Sequence, residues 1–393
     1  MMQPPRRGFD IVEYELRVAR AQKAMHAEQL DGLLLTTEAE VRYFSGFQTQ
    51  FWESPTRPWF LILPAKGEPI AVIPGIGEAG MRGTWIRDIR CWPAPRPEDD
   101  GVSLLADGLN SLPRRFGRIG LPMGHESLLR MPLADFRKLE RGIAGYELID
   151  AAPLMHALRF VKSAAEINKI EYACQVTSKA FEALPEKLAI GMTEREACQA
   201  LRMDLLKLGA DHSPYLIAGS GSMSYGDIIM GPTDRVLEDG DVLIIDTGTV
   251  YDGYFCDFDR NLAFGTPADE TLAAHECVHR ATDAGFAAAR PGATMADLFN
   301  AMWQVLEAGG ALGNNVGRMG HGLGMQLTEG PSVTPHDQTV LEVGCVVTLE
   351  PGMCFAPGCE MVHEENIVIT ENGARWLSNR APVEMPRIIR KQS

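Results

Sequence analysis

With 393 residues, 45% of them hydrophobic and 23% charged, the chain is long enough for two or three domains and apolar enough to give each a core. A formal net charge of −15 makes a surface that repels polyanions, which argues against nucleic-acid binding. The longest apolar runs, 59–64 and 242–245, are far too short to span a bilayer, and no apolar stretch follows Arg6 and Arg7 as in a signal peptide. The eight cysteines form no CxxC pair and mostly sit in apolar runs, as in Gly344-Cys345-Val346. The expectation is a soluble, cytoplasmic protein with reduced thiols and no membrane partner.

In chain order, Tyr14, Val18, Ala21 and Met25 recur at helical spacing and predict a helix over 11–30. Asp31-Gly32 ends it, and Leu33-Leu34-Leu35 reads as a buried strand. Residues 60–63 and 70–73 repeat the short-strand pattern, with a hairpin turn at Lys66-Gly67-Glu68. Arg118 to Leu121 gives another strand, followed by a helix near 124–140. The alternation predicts an α/β domain over residues 1–152. Residues 153–162 read as a linker.

From Ser163 the texture changes. A helix over 164–184 is capped by Ser163 and stopped by Pro185. A second, over 193–208, opens on a capping box of Thr193 and Glu196. Strands follow at 214–219, 242–250 and 253–263, helices at 268–289 and 295–309, and strands near 345–350 and 363–370. The terminal Arg-Lys-Gln-Ser reads as a frayed end. No internal repeat or low-complexity tract is visible.

The chemistry is carried by acids on apolar strands. Val242 to Ile245 runs straight into Asp246, and Asp257 follows eleven residues later. An acid ending such a strand is costly unless it is exposed, paired or metal-bound. Taken singly, each aspartate is better explained as a turn residue beside glycine. His321 lies within Gly320-His321-Gly322-Leu323-Gly324, where glycines leave the imidazole accessible. Glu350 ends Val346-Val347-Thr348-Leu349, and Glu364 precedes Asn366-Ile367-Val368-Ile369. Alternation puts Thr348 with Glu350, and Val362 with Glu364 and Asn366. Few basic residues are close in sequence, and four inward acids could not ionise together without cations. Four carboxylates and one imidazole suit a pair of divalent ions, of the class Mn²⁺, Fe²⁺, Co²⁺ or Zn²⁺. Two such ions side by side can activate water and polarise a carbonyl.

The ordered set resembles the pita-bread metallopeptidases: Asp246, Asp257, Gly-His321-Gly, Leu-Glu350-Pro-Gly, then Glu364 before Ile-Val-Ile-Thr. That family includes methionine aminopeptidase, aminopeptidase P and prolidase, with creatinase as a relative. The resemblance spans essentially the whole chain. It implies a creatinase/prolidase-like α/β domain over 1–152 and an α+β pita-bread domain over 160–393. It implies that Asp246 chelates one metal, that Asp257 and Glu364 bridge two, and that His321 and Glu350 complete the second site. Glu350 would also carry a proton from the attacking water to the leaving nitrogen. The implied function is a metal-dependent hydrolase of a small peptide, Xaa-Pro dipeptidase or aminopeptidase P-like. One alternative is a hydrolase or lyase of a small amide-like metabolite, as in creatinase, ectoine hydrolase or dimethylsulfoniopropionate lyase. Another is a non-catalytic binding protein, which the complete ligand set disfavours.

Three positions depart from the family pattern. Ile229 stands where the peptidases usually carry a histidine, seventeen residues before Asp246. Thr328 stands where they carry another, seven residues after His321. Val362 replaces an arginine often found two residues before the last glutamate. Losing one donor to the reacting carbonyl costs about 10²–10³ in rate, so another group or another substrate is implied. Thr328, His212, Asp227 and His363 are the candidate substitutes. His363 should face away from Glu364, His212 is as readily a surface loop residue, and His336 reads as a solvated turn. The aromatic stretch Phe51-Trp52-Glu53-Ser54-Pro55-Thr56-Arg57-Pro58-Trp59 is first of all a packing loop. By resemblance to creatinase, Arg57 would close on a substrate carboxylate from the neighbouring subunit of a homodimer.

Overall fold

A computed structural model describes residues 3–54, 57–143, 145–314 and 317–389. The tail read as frayed lies outside these residues, as do Pro55 and Thr56 of the aromatic stretch. The chain divides into two compact units. One is Arg6–Arg159; the other runs from Phe160 onward and includes the segment before Arg6.

In the first unit the strands are β1 (Gly32–Leu35), β2 (Phe60–Pro64), β3 (Ile70–Pro74), β4 (Asp88–Trp92), β5 (Arg118–Leu121) and β6 (Glu147–Asp150), in spatial order β4-β3-β2-β1-β5-β6. The hairpin expected around Gly67 is present, with Phe60 opposite Val72 and Ile62 opposite Ile70. β1 to β3 are buried along their whole length, as their unbroken apolar runs require. The helices are α1 (Ile11–Ala27), α2 (Glu38–Ser45), α3 (Glu78–Arg82), α4 (Val102–Asn110), α5 (Leu133–Gly142) and α6 (Ala152–Phe160).

Two expectations fail here, both at prolines. The helix expected near 124–140 begins only at Leu133, because Pro132 is its N-cap residue and the residue before a proline resists helical backbone. Residues 122–132 are instead irregular, and Asp150 accepts the N–H groups of Met123 (3.2 Å) and Gly124 (3.0 Å). The segment read as a linker at 153–162 is largely helix α6. Pro153 sits in its first turn, where no intrahelical N–H is needed, and Met155 and Leu158 are buried.

The second unit opens with α7 (Ala164–Ala183) and α8 (Glu194–Leu208). Each starts on a complete capping box, Ser163 with Glu166 and Thr193 with Glu196. β7 (Ile217–Gly221) and β8 (Val242–Thr247) follow. The chain then turns through the two-residue strands β9 (Val250–Tyr251) and β10 (Tyr254–Phe255) into β11 (Phe258–Phe264). Helices α9 (Asp269–Ala288) and α10 (Met295–Ala308) come next. The remaining strands are β12 (His321–Gly322), β13 (Glu329–Ser332), β14 (Val346–Leu349), β15 (Gly352–Ala356), β16 (Cys359–Val362), β17 (Glu365–Thr370), β18 (Gly373–Trp376) and β19 (Arg387–Ile388). They form two main sheets, β19-β11-β8-β7 and β13-β12-β14-β17-β18. One apolar core joins them: Val242 and Ile244 of β8, Val347 and Leu349 of β14 and Ile367 of β17 pack with Val278 of α9 and Leu298 and Met302 of α10. Among the described residues no helix is long and apolar enough to cross a membrane.

Leu298 is fully buried at the centre of this core. Leu298→Ala should destabilise the second unit by about 2–5 kcal/mol. The expected result is a lower denaturant midpoint at unchanged slope; a midpoint equal to that of the wild type would contradict this packing.

Candidate metal centre

The site grows from strand ends. β8 delivers Asp246, which lies directly opposite Asp259 of β11 and Ile217 of β7. The chain must reverse just beyond it, and Gly248 permits this: a Cβ there would lie 1.7 Å from the Cys256 carbonyl. That turn brings Asp257 back beside Asp246. His321 follows Gly320, whose φ of +128° and closeness to the Thr348 carbonyl admit no side chain. Glu350 leaves the end of β14, and its N–H donates to the Met319 carbonyl (3.0 Å). Glu364 lies in the short step between β16 and β17.

Donor atoms of Asp257, His321 and Glu364 all lie within 4.8 Å of one another, and all three residues are buried. His321 Nε2 is 3.3 Å from Asp257 Oδ2. The other ring nitrogen, Nδ1, is 2.9 Å from the Gly322 carbonyl. A carbonyl only accepts, so Nδ1 carries a proton, and Nε2 is the ring atom turned toward the acids. Asp257 is fixed from several sides. The Tyr215 hydroxyl donates to Oδ1, Asn366 Oδ1 accepts the Asp257 N–H (3.2 Å), and Asn366 Nδ2 donates to the Asp257 carbonyl.

Asp246 Oδ1 and Glu364 Oε1 are buried and have no hydrogen-bond partner. Such atoms are costly unless a cation meets them. The carboxyls respond as like charges in a dry space must. Burial, then repulsion from Asp257 and other acids, holds Asp246 and Glu364 well above the ordinary carboxylate range. Glu350 is pushed up to about 7, mainly by burial; His321 and Arg318 pull it down and Asp257 raises it. Burial and the same acids push the Tyr215 hydroxyl up, so it stays a donor. Oxygen donors, one imidazole and orphaned buried oxygens together fit divalent cations.

Period-2 alternation separates this site from its back. Glu364 and Asn366 face Asp257, whereas His363 and Glu365 face Arg380, which donates to His363 Nε2 and to Glu365 Oε1 (3.3 Å). Burial alone would raise Glu365, but Arg260, His363 and Ser378 hold its carboxyl far below the usual range. His363 is therefore no substitute for the missing histidines. His212 is exposed and pairs through its backbone with Val250; His336 is exposed. Ile229 is 76% exposed, and Asp227 turns its carboxylate to the N–H groups of Ile229 and Met230. Val362 is buried in the core. Thr328 accepts a hydrogen bond from Arg318 Nη2 (3.0 Å). Arg57, in the first unit, has a left-handed backbone (φ +56°) and lies over the Phe51 ring.

Three neighbours of the site were not singled out in the sequence. Asp259 shares the face of Asp257 by simple alternation, is buried, and leaves Oδ1 unpaired. The pattern that found Asp257 was enough to find it. Tyr215 and Arg318 carry no such signal, since each joins the site from a separate segment.

Because Asp246, Glu350 and Glu364 titrate above their ordinary values, the metal-free fold holds protons that the unfolded chain releases. Their stabilising contribution is complete at acid pH and is lost as pH rises, for Glu350 between 4.5 and about 7. The melting temperature of chelator-treated protein should fall across that window, and added Mn²⁺ should reduce the fall. A flat profile without metal would show that these acids are not desolvated together.

The family described as "Metallopeptidase family M24" matches residues 168–371, and the "Creatinase/Prolidase N-terminal domain" matches residues 17–161. The chain is 28% identical over 375 residues to the probable dipeptidase PepE of Mycobacterium bovis, covering 95% of this chain and 96% of that protein. It is 30% identical over 258 residues to the Xaa-Pro dipeptidase of Pyrococcus furiosus, covering 65% of this chain and 73% of that one. The crystal structure of dipeptidase PepE from Mycobacterium ulcerans superposes with a TM-score of 0.84 at 29% identity, over 97% of this chain and 99% of that chain. With more than half of its length matched by the catalytic-domain family, the chain belongs to metallopeptidase family M24.

Proposed function

We propose that this protein is a dinuclear-metal peptidase that cleaves Xaa-Pro dipeptides or short Xaa-Pro peptides. The observation that carries this reading is the buried acid cluster around Asp257, with orphaned oxygens on Asp246 and Glu364 and His321 Nε2 turned inward. In this reading Asp246, Asp257, His321, Glu350 and Glu364 hold two divalent ions of the Mn²⁺, Co²⁺, Zn²⁺ or Fe²⁺ class. Relatives named as dipeptidases support a peptide substrate over a non-peptide metabolite.

The ions, when bound, polarise the scissile carbonyl and activate water. The protein's own groups do the rest. Glu350, whose carboxyl is raised by burial, takes a proton from the attacking water and returns it to the leaving nitrogen. Tyr215 and Asn366 keep Asp257 in one orientation, so little reorganisation is needed during turnover. The surrounding apolar core excludes bulk water and strengthens each of these interactions.

The test is metal reconstitution followed by a turnover screen of Xaa-Pro dipeptides and tripeptides against creatine, ectoine, and sulfonium and betaine compounds. Cleavage of the Xaa-Pro bond is expected; turnover of the non-peptides alone would overturn the reading. Asp257→Ala should abolish both metal uptake, measured by elemental analysis, and activity. Unchanged turnover in that variant would refute the assigned centre.

A further inference from the structure

Strand β11 carries one acid that the five-residue set above does not use. The β8–β11 pairing keeps an unbroken register from Phe258 opposite Thr247 to Ala263 opposite Val242, and within it Asp259 is the direct partner of Asp246. Directly opposed residues of an antiparallel pair share a face, with Cβ atoms about 4.5–5.5 Å apart, so the two carboxyls project to the same side. β11 is also tied to the segment that carries Glu364, on both sides of Asp259. Asn366 Nδ2 donates to the Asp257 carbonyl, and Asn261 Nδ2 donates to the Val362 carbonyl (2.6 Å). Asp259 lies midway between these ties on one chain, as Glu364 does on the other. Nothing in the protein neutralises it there. Asp259 is 2% exposed, and its Oδ1 is buried without a hydrogen-bond partner. Arg260, the next residue, alternates to the opposite face. Its guanidinium donates to Glu365 Oε2 (3.1 Å) and to the carbonyls of Glu364 (3.0 Å) and Asn379 (3.0 Å). A buried carboxyl left in this way is costly unless a cation meets it.

We propose that Asp259 is a further ligand of the metal centre, added beside Asp246 to the ion that His321 does not hold. The inference rests on the dinuclear reading above and deepens it. In that reading Asp246, Asp257 and Glu364 already offer this ion oxygen atoms alone. A further carboxylate adds negative charge at the same end, which raises affinity for a hard cation. It adds no imidazole or thiolate, so the gain is larger for Mn²⁺ than for Zn²⁺. The two positions of the centre thereby become unequal: one is purely carboxylate, and the other contains His321. A purely structural Asp259 would behave differently. It would be a neutral acid bonded within the protein, and its removal would cost stability and leave metal affinity alone.

The experiment titrates chelator-stripped wild type, Asp259→Asn and Asp259→Ser with Mn²⁺ and, separately, with Zn²⁺ by calorimetry, and records the melting temperature of each stripped protein. The wild type should take up two ions. In Asp259→Asn one of the two Mn²⁺ affinities should fall by about 10–100-fold, the scale on which lost support weakens a metal site. The other Mn²⁺ affinity should be kept, and the loss for Zn²⁺ should be smaller. Stripped Asp259→Asn should also melt above the stripped wild type, because a neutral side chain of the same shape replaces an unpaired buried acid. Asp259→Ser, smaller and uncharged, should show the same selective loss of Mn²⁺ affinity and stands in if Asp259→Asn fails to fold. Both Mn²⁺ affinities unchanged in a variant that melts cooperatively overturn the inference and leave the dinuclear reading intact. A wild type that binds no divalent ion overturns both.

Discussion

Acids buried within a few ångströms of one another cannot all be ionised without positive charge among them, and the C-terminal unit is organised around that constraint. Glu364 and Glu365 are consecutive and equally hidden from solvent, yet their fates are opposite. Glu365 meets Arg260, Arg380 and Ser378 on the back of its strand and stays ionised within the protein's own charges. Glu364 meets Asp257, Asp246 and Glu350 on the front and is driven toward its protonated form. The entry to β17 therefore carries a completed ion pair on one side and an unmet electrostatic demand on the other. The first is structural; the second fits the divalent ions that the proposed centre would hold.

The scaffold keeps that demand from relaxing. Asp257 is gripped through its carboxylate by Tyr215 and through both backbone groups by Asn366, so it cannot swing away from its neighbours. His321 is held through Nδ1 by the Gly322 carbonyl, which directs Nε2 at Asp257. Each of these contacts is made between groups of the protein itself. Rigid sites of this type require little rearrangement on binding.

Much of this was legible in the sequence because it rests on period and spacing. The capping boxes at Ser163 and Thr193, the hairpin around Gly67 and the acids at strand ends are local patterns, and alternation alone separates Glu364 from His363. Where local signals conflicted, packing decided. Pro153 looked like punctuation, but Met155 and Leu158 had a core to enter and the proline fell in a tolerated first-turn position. Arg318 and Tyr215 were invisible for a different reason. Their roles come from strands and loops that meet only after folding, and nothing in their immediate neighbours marks them. Asp259 was within reach of the same alternation argument that flagged Asp257.

The two-faced entry to β17, Glu364 followed by Glu365, also limits how this gene can change. Loss or gain of a single codon between Met361 and Asn366 would move the alternation by one step. Glu365, with its arginine partners now misplaced, would be offered to the centre, and Glu364 would be turned into the His363 and Arg380 pocket. Substitutions along this stretch can be absorbed one at a time, but a frame-preserving insertion or deletion would exchange the enzyme's reactive side for its structural one. Natural length variation in relatives should accordingly be confined to the loops on either side of it.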